Sequence, residues 1–187
     1  LSWFNILKNQ FATTADAQFE LDFDNPMVEQ EEETCKKQLE RLYNSLSNFT
    51  APSEYEEEPA GEPYNLKRFR AKRNITETKL HVRGKNLLEE VPEEVCCQLI
   101  ELFKNTRDND GEFIRPENNN GYDLLANKNY AQSYYSSLAC DSTYSLWIIK
   151  DNKMLYYAEI SVVLYNTTNE DIARERLDKA VGNTFDF

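Results

Sequence analysis

The chain has 187 residues and a formal net charge of −12, with 40% hydrophobic, 29% charged and 12% aromatic residues. That length suits one domain with appendages, and the aromatic content excludes a wholly disordered chain. The acidic balance disfavours phosphate backbones and anionic membrane surfaces as partners of the whole molecule, and no apolar run is long enough to span a bilayer.

In chain order, Ser2 suits the cap of a short helix whose face carries Trp3, Phe4, Leu7 and Phe11. A helix this short must dock on something, either its own domain or a partner. These four residues are therefore candidate partner-binding positions. Phe19, Leu21 and Phe23 alternate with acids, as in an edge strand or an extended arm. Pro26 closes that segment, and a second helix is expected over residues 27–47. Its positions Leu39, Leu42 and Leu46 form a narrow seam, which either lies on the domain or associates with a partner.

Residues 50–63, TAPSEYEEEPAGEP, read as an acidic, proline-containing linker. The expected organisation is therefore a helical arm over 1–49, a linker over 50–64 and a domain over 65–187. The charge then inverts. Lys67, Arg68, Arg70, Lys72, Arg73, Lys79, Arg83 and Lys85 stand against the single acid Glu77, a local +7. This basic stretch has three readings: a nucleic-acid or phosphate site, a patch neutralised by the preceding acids, or a solvated strand.

Residues 74–83 alternate as a strand. Thr76, Thr78, Leu80 and Val82 share one face, and His81 lies with charged residues on the other. A helix follows, opened by Pro92, Glu93 and Glu94, with Val95, Leu99, Leu102 and Phe103 as its buried stripe. Residues 106–117 superficially match a calcium loop through Asp108, Asp110 and Glu117. The leading carboxylate and the exit helix are missing, so an acidic turn is the expected structure and no metal is assigned. Residues 122–138 are expected to form a weaker helix.

Two apolar strands then flank Asp151-Asn152, residues that tolerate the positive φ of a tight hairpin turn. Glu159 is the one acid among aromatics in the second strand. It is either paired with a basic neighbour or the acid of a pocket. Thr168 is the expected cap of a final helix that ends at Gly182.

Four cysteines, Cys35, Cys96, Cys97 and Cys140, show no metal-ligand spacing and read as free thiols of a reducing compartment. The N-terminal segment has neither a basic start nor a continuous apolar core, so a cytoplasmic, non-secreted location is expected. The sequons at Asn48, Asn74 and Asn166 are then chance matches in an Asn-rich chain.

These elements predict an α+β domain with helices on one face of a small antiparallel sheet, in the order β-α-α-β-β-α. The order resembles an incomplete ferredoxin-like arrangement, and also the first half of a GNAT-type acetyltransferase. The glycine-containing loop that would cradle a coenzyme A pyrophosphate is absent. No nucleotide, nucleophile-elbow or metal motif occurs, and no cofactor is implied. The expected function is a non-enzymatic protein–protein interaction or assembly protein, with a protein partner or a second copy of itself. A nucleic-acid or phosphate module using residues 67–85 is the alternative. An enzyme with a pocket around Glu159 and Tyr157 is the third reading.

Overall fold

The computed structural model describes residues 32–73, 78–107, 110–114, 120–134 and 139–187. Residues Thr34–Phe187 form one compact unit. Its elements in order are helix α1 (Cys35–Ser47), strands β1 (Tyr55–Glu58), β2 (Asn65–Ala71) and β3 (Thr78–Asn86), a short 3-10 turn (Leu88–Glu90), and helix α2 (Glu93–Asn105). Strands β4 (Asp110–Ile114), β5 (Tyr122–Tyr134), β6 (Ala139–Lys150) and β7 (Lys153–Tyr165) follow, then helix α3 (Glu170–Val181).

Among the described residues the strands form one sheet in the order β1-β2-β3-β7-β6-β5-β4, antiparallel at every pair. Two meanders meet where β3 pairs with β7. The class is α+β, with the helices layered on one face of the sheet.

The hairpin is built as its residues dictate. Asp151 and Asn152 take φ of 51° and 62°, the left-handed pair that matches strand twist in a two-residue turn. The β6–β7 register skips Leu155, because Ile148 faces Tyr156 and Ile149 faces Met154. This is a bulge in the longer strand near the turn. Alternation does the rest. Tyr156, Ala158, Ile160, Val162 and Leu164 are fully buried beneath the helices, together with Leu80 and Val82 of β3 and Leu146 and Ile148 of β6.

Helix α1 lays Leu39, Leu42 and Leu46 into this core, and the Leu39 carbonyl accepts a 2.6 Å bond from the buried Tyr156 hydroxyl. Gly84 permits the approach. A Cβ there would come within 3.0 Å of the Tyr43 Cε2 atom of α1, and within 2.9 Å of the Leu66 Cδ1 atom. Helix α2 buries Val95, Leu99, Leu102 and Phe103, as its period predicts, and Cys96 and Ile100 beside them. Phe185, in the C-terminal tail, packs on Phe103 and Tyr144, and Phe187 packs on Phe103.

Several expectations are corrected. Residues 122–134 form strand β5, not a helix. Tyr122, Leu124 and Ala126 point into the core with a period of two, while Asp123, Leu125 and Asn127 point outward. The β-α-α-β-β-α order, and the ferredoxin and acetyltransferase resemblances that rested on that helix, go with it. The acidic segment is not a free linker: Tyr55 is buried and Tyr55–Glu58 pairs with β2. Helix α1 belongs to the domain rather than to an arm. Asn169, not Thr168, caps α3, its Oδ1 accepting from the Asp171 and Ile172 amides.

The cysteines are the largest correction. Cys35 and Cys97, 62 residues apart, are joined by a disulfide that ties the start of α1 to α2. A structural disulfide is a feature of oxidising compartments and stands against the reducing one expected. Cys96 and Cys140 are free and buried. No helix among the described residues is long and apolar enough to cross a membrane.

Candidate functional site on the helix-free sheet face

Strand alternation sends every second residue of β2, β3, β7, β6 and β5 to the face that carries no helix. There the register aligns Asn65, Arg83, Glu159, Ser145 and Asn127 directly opposite one another across five strands. The row is hydrogen-bonded. Arg83 donates from Nη1 to Glu159 Oε2 at 2.8 Å and from Nε to Asn65 Oδ1 at 2.9 Å, and Asn127 Nδ2 donates to Ser145 Oγ at 2.7 Å. Glu159 is 8% exposed and Ser145 fully buried, so the polar row is withdrawn from water and satisfied largely by itself.

On one side of the row lie Tyr157 and Trp147, opposite each other, with ring centroids 4.0 Å apart. Burial, reinforced by the Glu159 carboxylate, pushes the Tyr157 hydroxyl far above its ordinary range. The Trp147 Nε1 donor is buried without a hydrogen-bond partner. On the other side lies His81, opposite Arg68 and Ser161. Its Nδ1 is 3.0 Å from Arg83 Nη2. A guanidinium only donates, so Nδ1 accepts and Nε2 carries the proton of the neutral ring. Burial, helped by Arg83, Arg68 and Lys79, depresses the His81 pKa to about 4. The ring is therefore neutral at pH 7, and its Nε2–H is buried with no partner.

Glu159 is ion-paired rather than a lone acid, and neither Ser161 nor Ser145 is bonded to a histidine nitrogen among the described interactions. No nucleophile–base pair of the kind acyl or glycosyl transfer needs is assembled among the described residues.

The other candidates are placed as follows. Trp3, Phe4, Leu7 and Phe11 lie outside the described residues, as do Asp108 and Glu117. Asp110 begins β4 and pairs with Lys128, so sheet occupies the middle of the supposed calcium loop. Leu39, Leu42 and Leu46 fill the domain's own core, which removes them as a partner seam. Cys35, Cys97 and Glu93 stand close enough to suggest a metal site, but the two sulfurs are bonded to each other. Glu93 instead caps α1, accepting from the Cys35 amide at 2.5 Å and the Lys36 amide at 3.1 Å.

The basic stretch divides. Arg70 pairs with Glu56 and Glu58, Arg68 with Glu58, and Arg83 with Glu159. Lys79 lies over the Tyr165 ring and Lys85 over the Tyr64 ring. Lys67 is half-buried, and Lys72 and Arg73 are exposed just beyond β2. The polar row itself was legible only as alternation. Nothing local in the sequence says that position 83 faces 159 and that 159 faces 145.

No family model, curated protein or solved structure matches the chain.

Proposed function

We propose that the protein is a non-enzymatic interaction protein whose recognition surface is the helix-free sheet face around Arg83, Glu159, Tyr157 and Trp147. The observation that carries this reading is the set of buried N–H donors left without a hydrogen-bond partner on that face among the described residues, Trp147 Nε1, His81 Nε2 and Arg68 Nε. A donor left unsatisfied costs on the order of 1–3 kcal/mol, and a partner's carbonyl or carboxylate oxygen would recover that cost on binding. The nucleic-acid reading has weaker support, because Arg68, Arg70 and Arg83 already hold carboxylates.

Lysine-reactive cross-linking of the full chain in its native extract, with peptide mapping and light scattering for self-association, tests the proposal. Lys79 and Lys85 alternate onto the recognition face, whereas Lys36, Lys37 and Lys104 lie on the helices. Cross-links to a partner or second copy are expected at the first two and to weaken in W147F. A monomer without cross-links, or cross-links confined to the helix layer, overturns the reading.

A further inference from the structure

The three sequons take on a different meaning once Cys35 and Cys97 are joined. A chain that forms a structural disulfide matures where thiols are oxidised. In the eukaryotic secretory pathway that is also where Asn-x-Ser/Thr sequences are glycosylated. The two sequons within the described residues, Asn48-Phe49-Thr50 and Asn166-Thr167-Thr168, share one placement. Each asparagine is exposed, and each is the first residue beyond a regular element.

Asn48 is the C-cap of α1, with φ −104° and ψ 16°. Asn166 leaves β7 at a left-handed φ of 61°. Neither position asks a bulky substituent to enter the core. The Asn48 Nδ2 donates to the Asn44 carbonyl at 3.0 Å, and a glycosylated amide keeps one N–H for such a bond. Asn74, the third, lies outside the described residues.

We propose that Asn48 and Asn166 carry N-linked glycans. The co-reactant is an oligosaccharide held on a polyprenyl pyrophosphate. The asparagine amide nitrogen attacks its anomeric carbon. A carbon–nitrogen bond forms as the anomeric carbon–oxygen bond breaks, the pyrophosphate leaves with the electron pair, and one amide proton passes to a base of the transferase. Thr50 and Thr168 supply the hydroxyl at the third position of each acceptor sequence.

The test is peptide mapping of the full chain isolated from its natural source, after enzymatic deglycosylation in heavy-oxygen water. Labelled aspartate is expected at positions 48 and 166. In parallel, the full chain directed into a eukaryotic secretory pathway should lose one glycan mobility step in N48Q and another in N166Q. T50A and T168A should do the same while leaving each asparagine in place, which covers a failure of either Gln variant to fold. Unmodified asparagine at both positions in the protein from its source overturns the proposal, whatever the directed chain carries. Occupancy at one position alone overturns the assignment of the other.

Discussion

Arg70 on β2 lies directly across from Glu56 on β1, with Nη2 2.5 Å from Oε1. Two residues along, Glu58 is ion-paired with Arg68 at 3.7 Å and with Arg70 Nε at 3.6 Å. The acidic run and the start of the basic run are thus two strands of one hairpin, in which Arg68 and Arg70 pair with Glu56 and Glu58. The Arg70 guanidinium holds the Glu56 carboxyl below its ordinary range.

Glu56 is exposed and its ion pair is screened by solvent, so E56Q/E58Q should leave the urea unfolding midpoint little changed. The same change removes the carboxylates that face Arg68 and Arg70 and should increase retention on heparin at low salt. Wild-type retention as strong as that of the variant would mean the basic stretch is not neutralised in cis.

The Arg83–Glu159 bond bridges 76 residues of sequence. Removing Arg83 leaves a buried carboxylate without its cation, so R83M should destabilise the fold by about 2–3 kcal/mol. The double variant R83M/E159L removes both charges and should recover much of that loss. A double-mutant cycle by urea denaturation measures the coupling. Additive effects would show that the two side chains do not act as a pair.

His81 gives the domain a pH dependence of definite sign. Its folded pKa lies near 4, against an ordinary 6.5. The unfolded chain therefore binds a proton as pH falls through 6.5 while the folded chain does not. Stability is complete above pH 6.5 and declines toward pH 4. Between pH 7 and pH 5 the wild type should lose about 1 kcal/mol more than H81Q, after discounting for partial exposure of the ring. Parallel pH profiles of the two proteins would contradict this environment for His81.

The Cys35–Cys97 bridge closes a long loop, and chain-entropy arguments put its contribution at about 4 kcal/mol as an upper figure. C35S/C97S should unfold at a distinctly lower temperature under oxidising conditions and match the reduced wild type. E93A should cost about 1 kcal/mol by removing the acceptor of the Cys35 and Lys36 amides, while Thr34 remains the N-cap of α1. Equal stability of oxidised and reduced wild type would mean the two cysteines are not joined in the folded protein.

Local pattern determined a good part of this molecule. Asp151-Asn152 marked the hairpin, the 3.6-residue period of Val95, Leu99, Leu102 and Phe103 marked α2, and alternation at Thr78, Leu80 and Val82 marked β3. Each of these signals lies within a dozen residues, so single-sequence reasoning can weigh it. Residues 122–134 show the limit. Leucines and tyrosines there fit a helical stripe and an alternating strand equally, and the choice fell to β4 and β6 as pairing partners. The acidic segment at Tyr55–Glu58 is polar enough to pass for linker until β2 supplies hydrogen bonds and opposite charge.

The sequence by itself determined the α+β class, the turn chemistry and the faces of its clearest elements, because these follow from the periodicity of neighbouring side chains. Tertiary structure alone decided the seven-strand order, the Cys35–Cys97 bridge, and the alignment of Asn65, Arg83, Glu159, Ser145 and Asn127 into one row. Those facts depend on which distant strands and helices meet. That is settled by the summed burial and hydrogen bonding of the whole core rather than by any one segment.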